Sequence, residues 1–303
     1  MLGLSSGLVN PDYTTSLVNL EDVSGLIAHY DFSDASKLKQ NSDGTTAVSS
    51  NNDPIGYAEN LVSNGLGTFV RSYSDAGRPL YKTGGTNSKS YAQFDGTGGS
   101  TSGCGLVAGI QPDNDVFGGI SASVYSDLTL HIANLSLFIV CASDVEDISS
   151  NECLLEMSGL GDPSDTQNKV QLMKQMSDRA QPIFMYGGDP TSNSAVLGST
   201  WTTEDRLMSL VTGPPDITNA TSLQVDDNSA SVTSLNANEK LEMKSSAGNV
   251  NFIIGARSND YLNPNTDNWE GKVYEILLYN RSVNDAEKTI IKNYINTKYV
   301  LWS

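Results

Sequence analysis

The chain has 303 residues, of which 17% are charged, and its 35 acidic against 18 basic residues give a formal net charge of −17. This balance, with a pI near 4.3, argues against a nucleic-acid-binding protein, because phosphate recognition needs a dense lysine and arginine surface. It equally disfavours binding to an anionic membrane. Abundant Ser, Thr, Asn, Asp and Gly suit a loop-rich β protein, and the length favours one large domain over two small ones.

The first residues show no sustained periodicity. Residues 1–21 alternate small, apolar and turn-forming side chains, which predicts an extended N-terminal arm before a domain at residues 22–303. This arm is either a frayed terminus or a segment that docks on a neighbouring subunit. The basic n-region and apolar h-region of a secretory signal are missing, and the longest apolar run, near residues 137–142, is too short to span a bilayer.

Alternating or continuous apolar runs then predict strands along the chain. The predicted strands cover residues 26–32, 91–95, 135–142, 153–157, 207–212, 222–225, 251–256 and 269–279. Residues 170–176 and 182–186 predict a hairpin, although the first segment also fits a single helical turn. A Gly-rich insertion at 96–131 is expected to be a long loop, serving as a binding surface or as a contact with another subunit. A second insertion follows at 159–178.

The closing segment combines a strand with a helix. Along 269–279, Tyr274, Ile276 and Leu278 are expected to share one apolar face, with Glu275 on the opposite face. Asn284 and Glu287 have the spacing of a capping box, and apolar residues then recur at helical spacing, which predicts a short C-terminal helix.

These segments together resemble laminin-G-like, concanavalin A-like jelly-roll domains. The resemblance covers about residues 25–300 and rests on five segments: 25–34, Arg78-Pro79 with 91–96, 135–141, 251–256, and the closing strand, arginine and helix. It implies an all-β fold, an antiparallel β-sandwich jelly roll with a short C-terminal helix. Such domains occur in bacterial surface proteins and in phage virion proteins.

No catalytic constellation is recognised in the sequence. A glycosidase of the laminarinase type carries Glu-x-Asp-x-x-Glu, which is missing, and we expect Glu152 and Glu156 to share one strand face as rim carboxylates. His29 and His131 lie in apolar strand-like contexts and are interpreted as structural. The nucleophile elbow Gly-x-Ser-x-Gly is missing too, as are metalloprotease and nucleotide motifs. We therefore predict no enzyme, no catalytic residues and no cofactor.

Calcium and glycan binding remain as alternatives. Candidate calcium ligands are acidic loop residues without the spacing of a calcium-binding loop: Asp113 with Asp115, Asp226 with Asp227, and Asn259-Asp260 with Asp267. Candidate sugar-binding aromatics are Trp201, Tyr261 and Trp269, the last of which also fits a core position. The cysteines, Cys104, Cys141 and Cys153, are odd in number without metal-like spacing, and are expected to be free thiols from a reducing cytoplasm.

The resemblance leads to two function hypotheses. The first is a non-enzymatic phage virion structural protein, a capsid decoration or tail appendage that binds neighbouring virion subunits through its arm and loops. It would be made in the host cytoplasm, reside in the virion and be oligomeric there. The second is a carbohydrate-binding adhesin or receptor-binding module, on a virion or a bacterial surface, with a host glycan as partner.

Overall fold

The structure is a computed structural model. It describes residues 19–63, 65–72, 75–96, 105–110, 116–117, 129–131, 135–144, 151–159, 169–174, 182–186, 194–196, 203–212, 222–226, 228–230, 240–242, 250–257 and 267–302. Of the predicted N-terminal arm, residues 1–18 lie outside the described residues. The next residues include a 3-10 turn, Leu20–Asp22, in which Leu20 is buried.

Strands dominate the described chain. In chain order they are β1 (Leu26–Asp31), β2 (Leu38–Lys39), β3 (Tyr57–Glu59), β4 (Phe69–Ser72), β5 (Leu80–Lys82), β6 (Tyr91–Asp95), β7 (Leu106–Ile110), β8 (Val116–Phe117), β9 (Thr129–His131), β10 (Ser136–Ser143), β11 (Glu152–Gly159), β12 (Lys169–Lys174), β13 (Pro182–Tyr186), β14 (Ser194–Val196), β15 (Arg206–Val211), β16 (Ser222–Val225), β17 (Asn228–Ala230), β18 (Lys240–Glu242), β19 (Val250–Ile254) and β20 (Glu270–Tyr279). A single α-helix among the described residues, α1 (Asp285–Tyr299), follows the last strand.

The strands form two large antiparallel sheets and one small pair. The first sheet has the order β17-β16-β15-β10-β20-β6-β5, with β1 also paired to β20. The second has the order β14-β13-β12-β11-β19-β7-β4-β3-β2, with β8 paired to β7, and β9 pairs with β18. The described residues therefore form an all-β protein in which β20 lies at the centre of the first sheet.

The main core lies between the two large sheets. Phe94 and Ile276 of the first sheet pack in one cluster with Met157 and Phe252 of the second, and all four are fully buried. Each such side chain contributes about 1.5–3 kcal/mol relative to an exposed position. This packing of two sheets through one apolar layer defines a β-sandwich.

The closing helix covers the outer face of the first sheet. Its predicted capping box is confirmed: Asn284 Oδ1 accepts a hydrogen bond from the Glu287 backbone N–H at 3.0 Å, and Glu287 Oε2 accepts one from the Asn284 N–H at 2.9 Å. Ile291, Ile295 and Tyr299 are buried on its inner side. Within the described part of the chain, no helix combines the length and apolar character needed to cross a membrane.

A β-bulge in β20 decides which side chains face this helix. Residues 140 and 141 of β10 pair with Glu275 and Val273, so Tyr274 is the extra residue. Tyr274 joins the cluster under the helix, whereas Ile276 faces the main core. The expectation that Tyr274 and Ile276 share one face is therefore wrong, because a bulge reverses the alternation that follows it.

The first Gly-rich insertion contains a strand of the second sheet. β7 lies between β19 and β4, and its residues Leu106, Val107 and Ala108 are fully buried. The expectation of a long loop at 96–131 is thus wrong at this point. A strand buried on both faces gives a short continuous apolar run without alternation, and here glycines at both ends hid it.

The predicted hairpins are confirmed. β12 pairs with β13, with Leu172 opposite Phe184, so the alternative of a helical turn is wrong. β15 pairs with β16, and Asp226 at the following turn has a left-handed φ of 53°. Such a backbone favours Asp, Asn or Gly, as is usual at a tight turn.

Candidate functional site

The two glutamates considered as a glycosidase pair lie in β11 and are separated by a bulge. Glu152 pairs with Lys174 and Glu156 with Gln171, with a register shift between residues 153 and 155. Because those partners are three apart along β12, the two glutamates project to opposite faces. Both are also buried, so the expectation of two rim carboxylates on one face is wrong.

The described members of the acidic loop pairs bind arginine. Asp226 Oδ2 accepts a hydrogen bond from Arg206 at 2.8 Å, and Asp267 Oδ2 accepts one from Arg257 at 3.0 Å. The other candidate calcium ligands lie outside the described residues: Asp113, Asp115, Asp227, Asn259 and Asp260. Absence of a cofactor therefore stays a prediction.

Of the three candidate sugar-binding aromatics, the structure describes one. Trp269 is fully buried in the main core, which confirms its core interpretation. Trp201 and Tyr261 lie outside the described residues, as does Cys104. Cys141 and Cys153 are buried free thiols, and burial raises the pKa of both.

An aromatic pair that the sequence reading did not single out lies on the outer face of the second sheet. Tyr57 on β3 and Phe69 on β4 are half-buried, and their rings stack with centroids 4.4 Å apart and planes 28° apart. Tyr57 pairs with Lys39 of β2 on one side and with Arg71 of β4 on the other. Directly opposed residues project to the same face of a sheet. We call Lys39, Tyr57, Phe69 and Arg71 the aromatic face.

The same cross-strand row continues toward the centre of the second sheet. Arg71 is opposite Val107, Val107 opposite Ile253, Ile253 opposite Glu156, and Glu156 opposite Gln171. The last four side chains are buried, and Gln171 Nε2 donates to Glu156 Oε2 at 2.6 Å. The row is therefore buried at its centre, while the aromatic face at its margin remains half-exposed.

A second cluster lies between β20, β1 and the closing helix. Glu275 is 1% exposed and its carboxylate accepts four hydrogen bonds, from His29 Nε2 at 2.6 Å and from Tyr294, Lys298 and Tyr299 at 2.8 Å each. A buried charge is tolerated only when it is paired and fully hydrogen-bonded, as this one is. The bulge at Tyr274 makes the cluster, since it turns Glu275 toward the helix.

Lys298 separates two carboxylates that face each other. Asp31 lies directly opposite Glu275 in the β1–β20 pair, an arrangement that is unfavourable for like charges. The Lys298 ammonium donates to Asp31 at 2.6 Å and to Glu275 at 2.8 Å. Ligand atoms of His29, Asp31 and Glu275 lie within 4.8 Å of one another, as in a metal site. A divalent ion there would have to displace Lys298, so the lysine serves as the cation.

The ionisation states follow from these contacts. Burial alone would raise the pKa of Glu275, but the hydrogen bond from His29 and the charge of Lys298 outweigh it and lower the pKa to about 2. Burial and the charge of Glu275 raise the pKa of Tyr294. At neutral pH the carboxylate is thus ionised and the phenol protonated. Glu275 cannot act as a general acid, and Tyr294 cannot act as a nucleophile.

A pocket of about 570 Å³ adjoins this cluster. His29 and Tyr294 lie at its polar side, and Leu20, Val23 and Leu61 are among its apolar lining residues. This volume is in the range of small-molecule sites. His131, the other histidine of the sequence, lies in β9 opposite Lys240.

Comparison with solved structures identifies the fold. A Trypanosoma rangeli sialidase in complex with sialic acid matches with a TM-score of 0.52 and 16% identity. A second Trypanosoma rangeli sialidase structure, with 2,3-difluoro-KDN, matches with a TM-score of 0.53 and 15% identity. The fold is a concanavalin A-like β-sandwich. Identity at this level shows the fold alone.

These matches cover 91% of this chain, and the chain spans about a third of the sialidase length, 33% in both. No protein-family model matches the chain, and no curated protein matches its sequence.

The comparison corrects the first function hypothesis. The matched structures are sialidases, one of them in complex with sialic acid, and they show no link to phage virion proteins. The prediction of a non-enzymatic phage virion structural protein is therefore wrong. The matched proteins are enzymes, and the prediction that this chain is no enzyme is not confirmed by them.

Proposed function

We propose that this concanavalin A-like sandwich is a carbohydrate-binding module and that the sugar binds at the aromatic face. The observation that carries the proposal is the stacked, half-exposed Tyr57–Phe69 pair, in which Tyr57 lies between two basic residues, Lys39 and Arg71. Sugar rings present apolar C–H faces that pack on aromatic rings, while their hydroxyl and carboxylate groups need hydrogen-bonding partners alongside.

The strands hold this face in place before a ligand arrives. Tyr57 and Phe69 lie on neighbouring antiparallel strands and restrict each other by stacking. Little side-chain freedom is then lost on binding, which favours affinity from a small contact area. The backbone of Lys39 is likewise fixed, because its carbonyl accepts the Gly56 N–H at 2.8 Å.

The local charges favour a sugar that carries a carboxylate. Lys39 and Arg71 flank Tyr57, and within the described residues the Lys39 ammonium has no ion-pair partner. Glu59 lies opposite Phe69 on the same face, where Lys37 pairs with it at 3.5 Å. Charges more than about 8 Å away are largely screened at physiological salt, so these local charges matter more at the contact than the overall charge of −17. The sialic acid held by one matched sialidase has this chemistry.

The placement of the described acidic residues supports a binding function over a catalytic one. Glu152 and Glu156 are on opposite faces of β11, and Asp31 with Glu275 is held by Lys298. Neither pair presents the acid and the base of a two-carboxylate glycosidase.

The proposal is tested by titrating the full chain with 3′-sialyllactose and with lactose. Tyr57→Ala and Phe69→Ala are each expected to weaken sialyllactose binding at least tenfold, about 1.4 kcal/mol. Tyr91→Ala is the matched control, because Tyr91 is also half-buried on an outer sheet face, packs against Tyr274 with ring centroids 5.1 Å apart and lies under Lys272. It should leave binding unchanged.

Two results would count against the proposal. An equal loss of sialyllactose binding in Tyr91→Ala would show that the substitutions act through general stability and not at the aromatic face. An absence of binding by the folded wild-type chain across a broad glycan array, with calcium present, would contradict carbohydrate binding itself. Weaker binding of lactose than of sialyllactose is expected from the two cations.

A further inference from the structure

The pocket beside the closing helix has an unusual hydrogen-bonding character. Its polar lining residues are Asn19, Ser63, His29 and Tyr294, and the last two both direct a proton-bearing atom to Glu275. His29 Nε2 lies 2.6 Å from Glu275 Oε1, and the Tyr294 hydroxyl lies 2.8 Å from the same oxygen. One buried oxygen, Glu275 Oε1, therefore accepts a hydrogen bond from each residue.

The remaining polar atoms on these two residues are acceptors. An imidazole that carries its proton on Nε2 has a lone pair on Nδ1, and a phenol that donates its proton keeps lone pairs on oxygen. Within the described residues, Nδ1 of His29 has no hydrogen-bond partner; its backbone N–H and C=O are bonded to Asn60 and Leu61. Because both residues donate to Glu275, His29 and Tyr294 present hydrogen-bond acceptors to the pocket.

The charges beside the pocket also favour a hydrogen-bond donor or a cation as ligand. Glu275 and Asp31 bring two carboxylates to the cluster, and Lys298 supplies one ammonium between them. A ligand anion would face this acidic pair across His29, whereas a donor or a cation would be attracted. The apolar lining, which includes Leu20, Val23 and Leu61, suits a hydrocarbon body.

We infer that this pocket is a binding site for a small apolar molecule bearing one hydrogen-bond donor, a hydroxyl or an ammonium group. The donor bonds to His29 Nδ1 or to the Tyr294 oxygen, and the hydrocarbon body displaces water from the leucine and valine walls. The site is separate from the aromatic face, which lies on the second sheet. Its occupancy does not depend on carbohydrate binding.

Four probes of one shape test the inference: cyclohexanol, cyclohexylammonium, methoxycyclohexane and cyclohexanecarboxylate. Each is titrated into the full chain while amide signals of Leu26, Leu61 and Val62 are followed by NMR. The alcohol and the ammonium are expected to bind at least tenfold more tightly than the ether and the carboxylate. Equal affinities for alcohol and ether would overturn the donor requirement, and an absence of shifts with all four would overturn the site.

A pocket-filling variant locates the probes. Val62→Trp is expected to abolish alcohol binding, and Val300→Trp, at a position 60% exposed after the helix, should leave it unchanged. Retained binding in folded Val62→Trp would contradict the pocket. If that variant does not fold, the comparison of alcohol with ether on the wild-type chain still decides the inference.

Discussion

At the scale of single residues, the join between the first sheet and the closing helix depends on Glu275. An isolated carboxylate at 1% exposure would cost several kcal/mol. Four donors, one of them the ammonium of Lys298, offset that cost and keep the group ionised. Removing a single partner would leave a buried charge less than fully paired.

This arrangement makes stability depend on pH. The pKa of Glu275 is lowered from 4.5 to about 2, since His29 and Lys298 outweigh its burial. Its contribution is full above pH 4.5 and is lost as the pH falls toward 2, because the unfolded state then binds the proton first. Between those values the free energy of unfolding should fall by about 3 kcal/mol more in the wild type than in Glu275→Gln.

Urea denaturation from pH 7 to pH 2 measures this difference. Glu59→Gln is the control, because Glu59 is an exposed partner of Lys37 and its replacement should change stability by no more than about 0.5 kcal/mol. Parallel pH curves for the wild type and Glu275→Gln would contradict the role assigned to Glu275.

The sequence contains both His29 and Glu275 in predicted strands, but it could not reveal their contact. The two residues are 246 positions apart and meet only because β1 pairs with β20. His29 was interpreted as structural, and its hydrogen bond to a buried carboxylate agrees with that. Its place in the pocket wall follows from the helix position, which no local pattern encodes.

At the scale of elements, bulges limited what periodicity could predict. The strands of the closing segment and of residues 152–159 were both found by their apolar runs, yet the assignment of faces failed after Tyr274 and between Glu152 and Glu156. Counting in twos fails after an inserted residue, and the sequence carries no reliable mark of one. The helix was predictable to its cap, because capping is a local interaction.

The capping box provides a test at this scale. Asn284→Ala should lower the free energy of unfolding by about 1 kcal/mol, since it removes the acceptor for the Glu287 N–H. Asn293→Ala makes the same change at an exposed position inside the helix. There alanine has the better helix propensity, so stability should stay equal or rise by a few tenths of a kcal/mol. Chemical denaturation compares the two.

Equal destabilisation by the two substitutions would contradict the capping assignment. The destabilisation should also be localised within the helix. Loss of the cap should increase amide exchange in the first turn of α1 more than in its last turn, where Tyr299 and Lys298 bind Glu275.

At the scale of the whole molecule, the sandwich class was predictable and the binding surface was not. Composition, strand runs and the order of family-like segments identified an all-β sandwich, which the two sheets confirm. The aromatic face unites Lys39, Tyr57, Phe69 and Arg71 from three strands. The sequence predicts no strand between residues 32 and 91, because short apolar pieces broken by glycine hide strands as brief as β4.

The two proposed sites lie on different sheets of the concanavalin A-like sandwich. The aromatic face is on the outer side of the second sheet, and the pocket adjoins the helix on the outer side of the first. Variants at one site should therefore leave ligand binding at the other unchanged, as additivity holds for distant residues. Titrating Tyr57→Ala with cyclohexanol and Val62→Trp with sialyllactose measures this independence. A change in either titration would show that the sites are coupled.

The central claim is most directly tested by mapping 3′-sialyllactose on the folded chain with amide and side-chain NMR shifts. The account predicts the largest changes at Lys39, Tyr57, Phe69 and Arg71, with no change at Leu61 or Tyr294. Saturable shifts confined to another surface, or no saturable shifts with any glycan tested, would contradict it.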